Sequence, residues 1–99
     1  MSKLVSTQYQ ISATDTPEEI TEAQKIDSPS VIVEAKSDNS ADIYIGNDGS
    51  DSVDDTTGFP LSPGDQVEVG LGTIIDGPKS AKLFIYGASG NAVSIIASI

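Results

Sequence analysis

The chain has no cysteine, no histidine, no tryptophan and no arginine. Without cysteine there is no disulfide framework, no thiol nucleophile and no zinc–thiolate centre. Without histidine the commonest general base and the commonest transition-metal ligand are both missing. Basic residues are scarce: five lysines face 15 acids, for a net charge of −10. That balance excludes a basic face able to displace counterions from nucleic acid, and equally an attraction to anionic membranes. Aromatic residues make up only 5% of the chain, so a core must be built from Val, Ile, Leu and Ala. No long apolar run follows Met1-Ser2-Lys3, so neither a secretory signal nor a membrane span is expected, and the protein is expected in the cytoplasm or assembled from it.

What is present reads as short strands. The 99 residues suit one domain with a thin core. From Lys3 to Ser12 the chain alternates, with Val5, Thr7, Tyr9 and Ile11 on one face, which predicts a strand or an arm that pairs with a neighbour. Asp15-Thr16-Pro17-Glu18-Glu19 has the form of a helix start, with Thr16 as N-cap and Pro17 at the first helical position. The apolar stripe beyond it is weak. A single helical turn and a second strand over 20–26 both fit, and the strand is preferred because the rest of the chain is β. Val31 to Lys36 and Asp42 to Gly46 read as strands joined in a hairpin across Ser37-Asp38-Asn39-Ser40. The stretch 47–61 is long and polar. Pro60 to Asp65 closes it with a turn in which Gly64 takes positive φ. Gln66 to Leu71 alternates again, and Ala81–Gly87 with Ala92–Ile99 forms a closing hairpin around Gly90-Asn91. The expected fold is all-β, a small antiparallel β-sandwich or jelly-roll-like barrel. Its first 16 residues form a strand or extended N-terminal arm, and 17–99 form the single sandwich domain.

Sites of chemistry are weakly marked. Asp48, Asp51, Asp54 and Asp55 offer hard oxygen ligands, yet Gly49 stands second where an EF-hand loop needs it sixth. The neighbours Asp54 and Asp55 point to opposite sides of an extended segment and make a poor general acid and base. Gly87-Ala88-Ser89-Gly90 lies in a turn between strands and is not a nucleophile elbow. Gly70-Leu71-Gly72 has no following helix, so it is no phosphate loop. Tyr9, Tyr44 and Tyr86 suit half-buried positions with wet hydroxyls. The expectation is a non-enzymatic protein with no catalytic residues, no cofactor and no metal.

One stretch is similar to a known group of proteins. Ile43-Tyr44-Ile45-Gly46-Asn47, then Val53, then Thr57-Gly58-Phe59-Pro60-Leu61-Ser62-Pro63-Gly64-Asp65 and the alternating Gln66 to Val69 resemble small virion proteins of tailed bacteriophages. Leu83 to Ile95 resembles their closing strand pair. The likeness covers about the second half of the chain. It implies a head decoration or cement protein on the outer capsid surface, with the major capsid protein as partner and a homo-oligomer, by preference a trimer. Related segments occur in other virion components, so a tail, fibre or neck protein is the second expectation. A Ca²⁺- or carbohydrate-binding β-sandwich module is the third. For a docking protein the expected interface is the N-terminal segment with the Pro-fixed corner: Leu4, Val5, Tyr9, Phe59, Pro60 and Leu61, the apolar groups least clearly committed to a strand interior.

Overall fold

The computed structural model describes residues 4–21, 30–46, 53–70 and 83–98. Eight strands run through them: β1 (Leu4–Gln10), β2 (Glu18–Glu19), β3 (Ser30–Ala35), β4 (Ile43–Gly46), β5 (Phe59–Leu61), β6 (Gln66–Gly70), β7 (Phe84–Tyr86) and β8 (Ala92–Ser98). They form two four-stranded sheets, ordered β1-β8-β3-β6 and β2-β7-β4-β5, with every pairing antiparallel. This is the expected small antiparallel β-sandwich, and its strand order is that of a jelly roll.

The alternation is what drives the two sheets together. Val31, Val33 and Ala35 on β3, and Val93, Ile95 and Ala97 on β8, turn to one side and are buried. Ile43, Ile45, Leu61 and Ile85 of the second sheet meet them in one core cluster. Burying each Val or Ile side chain contributes about 1.5–3 kcal/mol, which compensates for the near absence of aromatic volume. The core is extended at the sandwich ends by Ile11, Ile20 and Leu83, which are coil residues rather than strand residues.

The two expected hairpins are not there. β3 and β4 belong to different sheets, and so do β7 and β8. Each expected hairpin is an arch that carries the chain from one sheet across to the other. A strand with one buried face is satisfied equally by a neighbour in its own sheet or by one across the core, so period-two alternation does not distinguish them. Two asparagines clasp the arches. Asn39 receives the Ala92 amide on Oδ1 at 2.8 Å and donates Nδ2 to the Ala92 carbonyl at 2.9 Å, standing in for a strand neighbour. Asn91, only 4% exposed, accepts on Oδ1 from the Ser40 amide at 2.9 Å and the Ser40 hydroxyl at 3.2 Å.

The region around residues 15–21 also differs from expectation. Instead of opening a helix, Glu18–Glu19 pairs with Ile85 and Phe84 at the edge of the second sheet. Asp15 takes positive φ (55°) and donates its amide to the Gly87 carbonyl at 2.9 Å, which turns the chain into that edge. The preferred strand over 20–26 is not seen in its described part, since Ile20 is buried coil and Thr21 is helical; 22–26 lie outside the described residues. For Leu4–Gln10 the strand alternative holds: all seven residues pair with β8, so this segment is part of the sandwich and not a free arm. Gly64 has the expected positive φ (90°), and its turn hands the chain from β5 to β6.

Candidate interaction surface

The six interface residues anticipated from the sequence fall in four different places. Leu61 is 2% exposed and belongs to the core, so it presents no surface to a partner. It pairs with Ile43, which carries it inward on the buried face of its strand. Phe59, two residues earlier on the same face, pairs with Ile45. It nevertheless stays 55% exposed, because β5 is the outermost strand of its sheet and the ring reaches the margin of the core. There it lines an apolar cleft of about 260 Å³ with Ile45, Leu83, Val67 and Val69. Pro60 beside it is exposed and sits on an edge strand, where a missing N–H costs no ladder bond.

Leu4, Val5 and Tyr9 lie at the opposite margin, on β1. Leu4 is 75% exposed on the outer face of the first sheet. It shares a shallow groove there with Ile32 and Ile96. Val5 and Tyr9 point the other way and are half-buried against the core. The structure therefore gathers Phe59 and Pro60 at one edge of the sandwich and Val5 and Tyr9 at the other, with Leu4 on an outer face.

Tyr9 has a partner that the sequence did not mark. Its hydroxyl donates to Glu18 Oε1. The same carboxylate accepts from the Ala13 amide at 2.8 Å, the Ser12 hydroxyl at 3.0 Å and the Ser12 amide at 3.2 Å. Glu18 thereby ties β1 of one sheet to β2 of the other and closes this side of the sandwich. Burial, the hydrogen bond to Glu18 and its negative charge push the Tyr9 hydroxyl up to about 12. Partial burial pushes the Glu18 carboxyl up, but the bonds from Tyr9, Ala13 and Ser12 outweigh it and leave its pKa below the ordinary value. The only sequence signal was a Glu nine positions from a Tyr, which a reading of Glu18 as a helix-start acid conceals.

The acidic segment resolves partly into structure. Val53 is buried and Asp54 organises a tight turn. Asp54 Oδ1 accepts from the Thr56 hydroxyl at 2.7 Å and amide at 2.8 Å, and from the Thr57 amide at 2.8 Å and hydroxyl at 3.0 Å. The Thr56 hydroxyl first, and then the other three donors, pull its pKa down to about 2. This is a turn-forming aspartate whose Oδ1 accepts from four donors, and Asp-x-Thr-Thr was the signal for it. The turn packs over Tyr44, whose ring meets Tyr86 edge-on at 6.4 Å. Burial, then the charges of Asp15, Asp55 and Asp54, raise the Tyr86 pKa. Among the described residues no three acidic side chains converge as metal ligands; Asp48 and Asp51 lie outside those residues.

Compared with protein-family models, curated proteins and solved structures, the chain gives no significant match, so its surface is read from its own chemistry.

Proposed function

We propose that this chain is a non-enzymatic virion structural protein that binds the outer surface of a capsid and stabilises the head, with the major capsid protein as its partner. The observation that carries the reading is Phe59. It is the one aromatic side chain among the described residues held largely in solvent, and it sits next to Pro60 on an edge strand. Aromatic side chains, Phe among them, are enriched in protein interfaces. The segment around it, Thr57 to Val69, is also the core of the resemblance to phage virion proteins. The net charge of −10 suits a basic docking surface. Eight-stranded jelly rolls recur in virus shells, and also in lectins, so the fold supports the reading by analogy only.

The test is binding of purified protein to undecorated particles, followed by co-sedimentation. Phe59→Ser is expected to reduce particle occupancy at least about tenfold, the effect of losing an anchor residue, while leaving the melting temperature within a few degrees of the parent. Undiminished binding by Phe59→Ser contradicts the reading.

A further inference from the structure

We propose that β1 is a self-association edge, through which two copies of this chain pair antiparallel about Thr7 to form one continuous eight-stranded sheet. Such pairing does not depend on the virion reading. It departs from the trimer that the resemblance implies, because strand pairing of this kind has two-fold symmetry.

The backbone sets the geometry. In an antiparallel ladder successive residues turn their N–H and C=O alternately to one neighbour and the other. The Ile11 amide donates to the Asn91 carbonyl at 2.8 Å, and the Gly90 amide donates to the Ile11 carbonyl at 3.0 Å, so Ile11 faces β8. Odd residues of β1 therefore bond β8 through the register Tyr9↔Val93, Thr7↔Ile95 and Val5↔Ala97. The backbone groups of Leu4, Ser6, Gln8 and Gln10 point to the outer edge. Among the described residues no strand lies beyond it.

An edge of seven residues with no proline and no charge is the kind natural proteins ordinarily block. Here nothing in its sequence blocks it. Charge also selects this edge over the others. In a chain of net charge −10, β1 and β8 contain no Asp, Glu or Lys, so half of the first sheet is uncharged. The acids on its outer face, Glu34 and Glu68, lie on β3 and β6, on the far side. Beside β1, Lys36 places its Nζ 3.4 Å from Gln8 Oε1. Of the other edges, β6 carries Glu68, β5 carries Pro60, and β2 carries Glu18 and Glu19. Two copies thus meet with least repulsion at β1.

The strand is also complementary to itself. With Thr7 opposite the partner's Thr7, the outward-bonding residues fall opposite one another: Leu4 with the partner's Gln10, and Ser6 with the partner's Gln8. The odd residues then form the close, non-bonded pairs: Val5 with the partner's Tyr9, and Thr7 with the partner's Thr7. Aromatic–β-branched and Thr–Thr pairs are favourable across strands, and Val5 and Tyr9 are the half-buried residues whose cover this completes. The charged group held at this edge on the core side is Glu18, bonded to Tyr9. Tyr9 is two residues from the two-fold axis, so the two copies of Glu18 stand roughly 13 Å or more apart along the strands, beyond the screening length at physiological salt. A contact of one strand is small, so the equilibrium is expected in the micromolar-to-millimolar range.

Sedimentation velocity over that concentration range tests it. The expected result is a reversible rise in mass from one copy to two. Gln8→Pro removes an N–H that faces outward and not β8, so the dimer is expected to disappear while the melting temperature holds. The register is tested by charge. Ser6→Lys and Gln8→Glu singly are expected to weaken the dimer, and the double variant to restore it through two lysine–glutamate pairs across the axis. A monomer at every concentration, a trimer, a dimer indifferent to Gln8→Pro, or no rescue by the double variant overturns the proposal.

Discussion

Asn91 shows how much a single buried side chain does in this fold. Its Oδ1 is the acceptor for both the amide and the hydroxyl of Ser40, at a point where the chain crosses between sheets. Asn91→Ala removes the acceptor of the Ser40 amide and is expected to cost about 1 kcal/mol, the net worth of an ordinary hydrogen bond where the donor residue is exposed to water, read as a drop in melting temperature. Gly58 is constrained by space. A Cβ there would lie 2.7 Å from Tyr44 Cβ and 2.9 Å from the Asp54 carbonyl oxygen, whereas one at Gly70 would meet nothing within 4 Å. Gly58→Ala is therefore expected to lose about 1–3 kcal/mol, with Gly70→Ala close to neutral in the same urea titration. Asp54 gives the molecule a pH dependence. Its folded pKa of about 2 lies below the ordinary 3.8. Its contribution to stability is thus complete above about pH 4 and is lost as the pH falls towards 2. Glu18, whose pKa is also lowered, acts in the same direction. Melting temperatures measured between pH 2 and 5 should fall less steeply in Asp54→Asn than in the parent; identical slopes would show that the Thr56 and Thr57 bonds add nothing.

Among the elements, β2 is the shortest strand, two residues long, and pairing alone gives it little. Glu18 holds it against β1 by accepting from Tyr9, Ser12 and Ala13. Glu18→Ala is expected to speed hydrogen exchange at the Ser12 and Ala13 amides and to destabilise by about 1–2 kcal/mol, a value reduced for partial exposure. Tyr9→Phe should show a smaller loss, with those amides still protected. Strand existence was legible in the sequence because alternation reports one buried face: Val31 to Ala35, Ile43 to Ile45 and Val93 to Ala97 all behave as written. Strand partnership was not, because the same alternation serves a hairpin or an arch, and the asparagines that choose the arch act across 51 and 53 residues. The surface was legible at Phe59 and Pro60 and misread at Leu61, where the strand's two-residue period returns the side chain to the core. Glu18 escaped notice because local helix-start chemistry and a long-range edge contact call for the same residue.

At the scale of the whole molecule, two sheets of four strands enclose an aliphatic core in a chain of net charge −10. Among the described residues, the uncharged edge of β1 and the Phe59-Pro60 corner lie on opposite sides of the sandwich. With the corner proposed to meet the capsid and β1 a second copy, one module can bind a shell and bridge to a neighbour. Attachment to the capsid lattice is tested most directly by quantitative mass spectrometry of gradient-purified virus particles from the source culture, with this protein measured against the major capsid protein. A stoichiometric ratio is expected, near one copy per capsid subunit or a simple fraction of it. A trace ratio, or absence from the particles, would contradict capsid attachment.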